Sequence, residues 1–150
     1  WGGMGGACMM GLGLAIAQPA RRVLVVTGDG EMLMGLGSLA TIAVQRPSNL
    51  AIVVLDNARF GETGMQPSHT AGPTRLVAVA NGCGIATCLD VTSDGALDAL
   101  AADVWSSGDL LFARVGVSAD ELPRVLPERD GAALKTRFRR ALGLPGPAVA

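Results

Sequence analysis

Charge is scarce in this sequence. Of 150 residues only 17% are Asp, Glu, Lys or Arg, and 12 basic against 13 acidic side chains leave a formal net charge of −1. A nucleic-acid groove or an anionic membrane surface demands clustered positive charge, and neither footprint is visible. Aromatic residues are rarer still, at 3%. Cys8, Cys83 and Cys88 form no Cys-x-x-Cys pair and are odd in number, so they read as reduced, buried thiols of a cytoplasmic protein. The single histidine, His69, has no nucleophile elbow near it, which removes any Ser-His-Asp triad. The apolar run Met4 to Ala17 stops at Gln18-Pro19 after 14 residues, short of the roughly 20 that a membrane span needs. No basic segment precedes it, as one would in a signal peptide. No internal repeat occurs, and the only low-complexity tract is the Pro/Gly/Ala tail after Leu144.

Glycine and aliphatic residues are plentiful, with 21 glycines and 49% apolar residues. That is a tightly packed, small-residue α/β composition, in one domain's worth of chain. The sequence opens at Trp1 without an initiator Met, inside a Gly-rich loop, and is read as lacking an N-terminal segment.

Trp1-Gly2-Gly3-Met4-Gly5-Gly6 predicts a loop, since so many glycines make a regular element entropically poor. Ala7 to Ala17 predicts a buried helix. Arg22 to Thr27 and Leu50 to Leu55 are short apolar runs that predict fully buried strands. Between them, Leu33, Leu36, Leu39, Ala40 and Ala43/Val44 recur at helical spacing and predict one helix from Glu31 to Gln45, broken by Arg46-Pro47-Ser48. Asp56 to Thr74 is a long loop punctuated by Gly61, Gly64, Pro67, Gly72 and Pro73, a length usually functional in a compact domain. A helix from Thr74 to Asn81 follows, then a strand from Ile85 to Val91. Ser93 caps a helix to Val104 that turns Leu97, Leu100 and Val104 inward. Leu110 to Val117 is a last strand. After a polar linker, Ala133–Leu142 is a helix whose Lys135, Arg137, Arg139 and Arg140 form a solvated face. Helix and strand alternate, which implies a parallel sheet with helices on both faces and ligands at the carboxyl ends of the strands.

Gly28-Asp29-Gly30 follows the first strand directly. Two glycines around an acidic residue let the backbone turn tightly and approach a ligand closely, and the first N–H groups of the next helix face an anion. Alone, such a triplet is as easily a simple turn. Asn57, 28 positions after Asp29, ends the neighbouring strand, so the two side chains can share one hard cation through oxygen. Gly35-Leu36-Gly37-Ser38-Leu39-Ala40 fits the dinucleotide pattern GxGxxA, with Asp56 21 residues beyond Gly35. Gly35 lies eight residues past the strand, however, and that fingerprint belongs in the strand–helix turn.

Gly28-Asp29-Gly30 with the later Asp56-Asn57 resembles the signature of the thiamine diphosphate (ThDP) enzymes, Gly-Asp-Gly followed by Asn-Asn. The resemblance implies that Mg²⁺ is held by Asp29, Asn57 and the backbone carbonyl of Arg59, and in turn holds the diphosphate. Asp56 departs from the pattern at a position that does not ligate the metal. Trp1 to Gly5 is similar to the family's pyrimidine-ring loop. It implies that the Gly2 carbonyl accepts from the cofactor's amino group and that Met4 wedges the cofactor into its bent form. Gly28, Gly30, Glu31, Met32, Phe60 and Gly61 complete the implied cofactor contacts. Glu31 stands where the family often has a small residue, and its carboxylate repels a diphosphate unless it is turned away.

Gly30 to Ile42, Asn49-Leu50, Val53 to Asn57 and Gly61 to Thr70 look most like the sulfopyruvate and phosphonopyruvate decarboxylases, as does Lys135-Thr136-Arg137-Phe138. The resemblance implies a three-layer α/β fold, the ThDP-binding fold, with the diphosphate-binding domain at residues 1–130 and a C-terminal helix and tail at 131–150. It implies non-oxidative decarboxylation of an anionic 2-oxo acid. Carboligation of the acetolactate synthase kind, a role as an oxidoreductase component, and a non-catalytic ThDP-binding module are the alternatives. His69 either donates to a substrate anion or intermediate, or fixes its own loop. Arg59, Arg75, Gln66 and Thr70 are further polar candidates for the substrate. The family's activating Glu belongs to a separate pyrimidine-binding domain that 150 residues cannot also hold. A second subunit or another segment is therefore expected to complete the site in an oligomer, and the chain alone is expected to be inactive.

Overall fold

A computed structural model of the chain describes residues 3–120, 123 and 125–145. Two compact units result, one of residues 3–119 and one that begins at Asp120. In chain order the first unit contains helix α1 (Ala7–Ala17), strand β1 (Val23–Gly28), helices α2 (Asp29–Met34) and α3 (Ser38–Gln45), and strand β2 (Leu50–Asp56). Next come the two-residue strands β3 (Arg59–Phe60) and β4 (Gln66–Pro67), helix α4 (Leu76–Gly82), strand β5 (Thr87–Val91), helix α5 (Asp94–Ser106) and strand β6 (Leu111–Gly116). Strands β1, β2, β6 and β5 form one sheet in that order, and every pairing is parallel.

Helices lie on both faces of the sheet, but β1 is covered on one face only. Leu24 and Val26 are 36% and 57% exposed, so the strand expected to be fully buried there is half-buried. Val23, Val25, Leu50, Ile52, Val54 and Phe112 point to one side and pack with buried residues of α1, α2, α3 and α4. Ala51, Val53, Leu111, Ala113, Val115 and Val91 point to the other and pack with Leu100 and Val104 of α5. Helix α1 is apolar all round yet sits tightly on β1. A Cβ added to Gly11 would lie 2.2 Å from Val25 Cγ2, so only glycine permits that approach.

Several expectations from the sequence need correction. The single helix from Glu31 to Gln45 is two helices, interrupted at residues 35–37. At Gly35 the backbone meets the Gly5 carbonyl: a Cβ there would come within 2.2 Å of Gly5 O. The turn is closed by three-residue hydrogen bonds, Ser38 N–H to Gly35 O and Ala40 N–H to Gly37 O, rather than by the helical ladder. The long loop after β2 carries the small β3–β4 hairpin and single 3-10 turns at Gly61–Thr63 and His69–Ala71. Leu97 is not an inner-face residue but is 46% exposed. The strand expected from Ile85 begins at Thr87, although Ile85 itself is buried in the core.

In the second unit, helix α6 (Gly131–Ala141) starts two residues earlier than its apolar pattern suggests. Asp130 Oδ1 accepts from the N–H groups of Ala132 and Ala133 at 2.8 and 3.2 Å, an N-cap that fixes the start. Arg139 and Arg140 lie in its last turn, where cations suit the helix dipole.

Candidate functional site

Parallel pairing sets the rim of the site. Gly28 lies opposite Leu55, so the residues that follow them, Asp29 and Asp56, leave the carboxyl end of the sheet side by side, with Asn57 next. A cavity of about 370 Å³ opens there, lined by Met4, Gly28, Asp29, Gly30, Glu31, Met34, Leu55, Asn57, Arg59, Phe60, Gly61, Glu62, Thr63 and Val117. Its walls are apolar at Met4, Met34, Leu55, Phe60 and Val117. Its floor carries the acidic and amide oxygens. Gly30 is pressed against the Phe60 ring, with 3.0 Å between an added Cβ and Cδ1.

Glu31 is turned away from the centre of this floor. Its Oε1 accepts from the N–H groups of Gly5 and Ala7, each at 2.9 Å, and its Oε2 accepts from Thr27 Oγ1 at 2.6 Å. Three donors spread its charge, and one of them is the first N–H of α1. The side chain that appeared to oppose a diphosphate instead pins the Gly3–Gly6 loop to α2 and caps a helix. It also pushes the neighbouring Cys8 thiol upward: burial, then the Glu31 charge, raise it to about 12.

Asp29 is 3% exposed. Its Oδ2 accepts from Ser68 Oγ, and Thr70 Oγ1 lies 3.3 Å from the same oxygen. Thr70 Oγ1 donates to Asp56 Oδ1 at 2.7 Å and lies 2.9 Å from Ser68 Oγ. Asp56, 4% exposed, further accepts from Ala58 N–H at 2.9 Å and from Arg114 Nε at 2.8 Å, while Arg114 Nη1 reaches Asp90 at 3.2 Å. Burial alone would raise the Asp56 carboxyl. The hydrogen bonds from Thr70, Arg114 and Ala58, with the Arg114 charge, outweigh it and hold this group below the ordinary carboxylate range. Burial works against the Arg114 cation too, and Asp56 and Asp90 reverse that, so its pKa is raised.

Asn57 Oδ1 accepts from Arg59 N–H at 3.0 Å, closing a short turn on itself. Ala58, between them, has φ +57, a left-handed conformation unusual for a residue with a Cβ. Ala58 O accepts from Ser68 N–H at 2.9 Å, so the turn is held from both sides.

The other residues singled out in the sequence are scattered. Gly2 lies outside the described residues. The Met32 side chain is 0% exposed, where it receives the Cys8 S–H at 3.7 Å, so only its backbone can face a ligand. His69 does not line the cavity: its ring meets Phe60 edge-on at 5.8 Å, and it borders a separate hollow with Pro67, Ser68 and Pro73. Arg75 donates to the carbonyls of Gly72 and Thr74, and Gln66 pairs with Thr63, so both serve their own turns. Thr70 points at carboxylates rather than at a substrate. Sequence reasoning overlooked Arg114 and Ser68. Arg114 carried a signal, because it is the one charged side chain in the apolar run Leu111 to Val115, and a charge is rarely buried without a partner.

Residues 1–112 match the family description "Thiamine pyrophosphate enzyme, C-terminal TPP binding domain". The chain is 46% identical over 86 residues to the sulfopyruvate decarboxylase subunit beta of Methanocaldococcus jannaschii, covering 57% of this chain and 45% of that protein. It is 39% identical over 149 residues to the phosphonopyruvate decarboxylase of Streptomyces viridochromogenes, covering 96% of this chain and 36% of that one. The chain thus spans less than half the length of either relative. A solved ThDP-dependent 4-hydroxybenzoylformate decarboxylase of Rhodococcus jostii superposes with a TM-score of 0.62 at 20% identity, over 79% of this chain and 24% of that one. That likeness is one of fold.

Proposed function

Because the chain belongs to the thiamine pyrophosphate enzymes, as their C-terminal TPP-binding domain, we propose that it is the diphosphate-binding part of a ThDP- and Mg²⁺-dependent decarboxylase of an anionic 2-oxo acid. Sulfopyruvate and phosphonopyruvate are the substrates its relatives' names favour. The observation that carries this reading is the single cavity that joins Met4, Asp29, Gly30, Asn57, Arg59, Phe60 and Gly61 at the carboxyl end of the sheet.

The donor set suits magnesium, a hard cation that takes oxygen ligands and tolerates few protein carboxylates. Asp29 has one oxygen engaged by hydroxyls, which leaves Oδ1 for the cation. The Asn57 amide and the Arg59 carbonyl complete the proposed set. Among the described residues no group of three or more His, Cys, Asp and Glu side chains is arranged to hold a metal. The proposed set requires only one carboxylate. When bound, ThDP supplies the electron sink that lets a 2-oxo acid lose CO₂.

The chain's own residues bind and orient. The loop bearing Met4, with Gly2 ahead of it, receives the organic ring, held in place by Glu31. Phe60 and Met34 give the cavity apolar walls. Gly28, Gly30 and Gly61 let backbone approach the diphosphate, where Glu31 and Met32 contribute main chain only. His69 lies behind Phe60 and outside the cavity, and is assigned to fixing its own loop rather than to proton donation. The family resemblance assigns the activating carboxylate to a pyrimidine-binding domain on another subunit or segment, in a cytoplasmic oligomer. That M. jannaschii relative is itself named a beta subunit. No helix among the described residues is long and apolar enough to cross a membrane.

Isothermal calorimetry with ThDP and Mg²⁺ tests the cofactor, and release of CO₂ and aldehyde from the two acids by the assembled protein tests the reaction. Asp29→Ala is expected to abolish binding. Unchanged binding by that variant would remove the metal assignment.

A further inference from the structure

We propose that Ser68 and Thr70 are positioning residues for the cation site, through a closed hydroxyl–carboxylate circuit that aims Asp29 and fixes the turn bearing Asn57 and Arg59. The inference rests on the function proposed above and names which side chains prepare that site.

The circuit can be followed atom by atom. Ser68 Oγ and Thr70 Oγ1 converge on the same oxygen of Asp29, Oδ2. Ser68 donates to that oxygen and Thr70 packs against it, so rotating the carboxylate breaks the Ser68 bond, and Oδ1 is presented in a fixed direction. The single Thr70 hydroxyl proton goes to the shorter contact, Asp56 Oδ1 at 2.7 Å, so Thr70 touches Asp29 Oδ2 at 3.3 Å without donating to it. Asp56 Oδ1 also holds Ala58 N–H, and Ala58 O holds Ser68 N–H. The ring closes through Ser68, Ala58, Asp56 and Thr70, completed by the backbone from residue 68 to 70, and Ser68 ties it to Asp29.

Two features show that the ring does more than join a loop to the sheet. Asn57 lies between its two anchored neighbours, Asp56 and Ala58, and the left-handed Ala58 is sustained by bonds at both its N–H and its carbonyl. The anchor is itself immobilised: Asp56 Oδ2 is taken by Arg114, which Asp90 braces from the adjacent strand β5. An Asn at position 56 would turn its amide N–H groups either toward the Arg114 donor or toward the Ala58 and Thr70 donors. The Asp that departs from the family pattern is therefore the residue that accepts on both sides, from Arg114 on one oxygen and from Ala58 and Thr70 on the other.

Outer partners that orient a metal ligand are worth about 10- to 100-fold in metal affinity. Thr70→Val keeps the shape of the side chain and removes the hydroxyl; Thr70→Ser restores it. In the full-length assembled protein at saturating ThDP, Mn²⁺ uptake followed by electron paramagnetic resonance is expected to weaken about 10- to 100-fold in Thr70→Val. Ser68→Ala should weaken it comparably, and Thr70→Ser should return close to wild type. If Thr70→Val does not fold, Ser68→Ala alone decides the matter. Wild-type binding with unaltered Thr70→Val and Ser68→Ala overturns this inference and leaves the proposed function standing. A wild type that takes up no Mn²⁺ with ThDP overturns both.

Discussion

Replacing Gly35 by alanine sets two opposite effects against each other. Gly35 has φ −101 and ψ 20, a conformation alanine adopts freely, so the substitution narrows the unfolded ensemble and by itself stabilises by about 0.4–1 kcal/mol. The new Cβ, however, would lie 2.2 Å from Gly5 O and 2.9 Å from Gly5 C, more than about 1 Å inside ordinary contact. Those atoms are backbone, and Gly5 N–H is held by Glu31, so neither partner yields by rotating a side chain. Relief requires the Gly3–Gly6 loop to lift, at a typical overpacking cost of about 1–3 kcal/mol. Loss of the Glu31 bonds adds to it. The clash wins: Gly35→Ala should be destabilised by about 1–2 kcal/mol, lowering Tm by roughly 4–8 °C in a unit of this size. Gly37 is the internal control. It has φ −62 and no atom within 4 Å of an added Cβ, so Gly37→Ala should be stabilised by about 0.4–1 kcal/mol. Calorimetric melting of both variants in the same buffer is the assay. A Gly35→Ala protein as stable as wild type, or both variants shifting in one direction, would refute the account of the Gly5–Gly35 contact.

Arg114→Met leaves the buried Asp56 carboxylate without its cation and should destabilise by about 2–4 kcal/mol, tempered by the partial exposure of Arg114; adding Asp56→Asn should recover part of this in denaturant melts. The pH dependence of that pair has a definite sign. The folded Asp56 pKa is depressed, so its stabilisation is present above the unfolded value of about 3.9 and disappears as pH falls through the folded one. The stability difference between wild type and Arg114→Met should therefore stay constant from about pH 8 to pH 5 and shrink only below about pH 4. Cys8, 1% exposed and raised to about 12, should resist iodoacetamide at about pH 8 in the native protein while Cys83 and Cys88 are alkylated first, as peptide mass mapping would show.

Much of the architecture was legible because its signals are local. Val23 to Val26 and Leu50 to Leu55 are unbroken apolar runs too short for helices, and the alternation with helical periods implies parallel pairing. The interruption at Gly35 was not legible, because the cause is a carbonyl of Gly5, a contact 30 residues away in the chain. Leu97 fits a helical stripe, yet it is Ala96, Leu100 and Val104 of α5 that pack against the sheet. For the site, Asp29 and Asn57 stood out by spacing. The role of Glu31 did not, since a carboxylate beside a phosphate site reads as an obstacle until its three donors are seen. Arg114 was visible only as an oddity in an apolar strand, and nothing local ties it to Asp56 across 58 residues.

The strand order bears on how this rim is completed during synthesis. Strand β2 lies between β1 and β6, so one of its edges has no partner until the chain has been extended past residue 111. As the polypeptide emerges N-terminus first, Asp29, Asn57, Ser68 and Thr70 all exist well before Arg114 does. Over that interval the Asp56 carboxylate has no cation to balance it in the interior, and burying it is unfavourable. Closing so long a loop also costs chain entropy before any contact repays it. The cation rim therefore becomes native late, on the arrival of a strand none of whose residues lines the cavity.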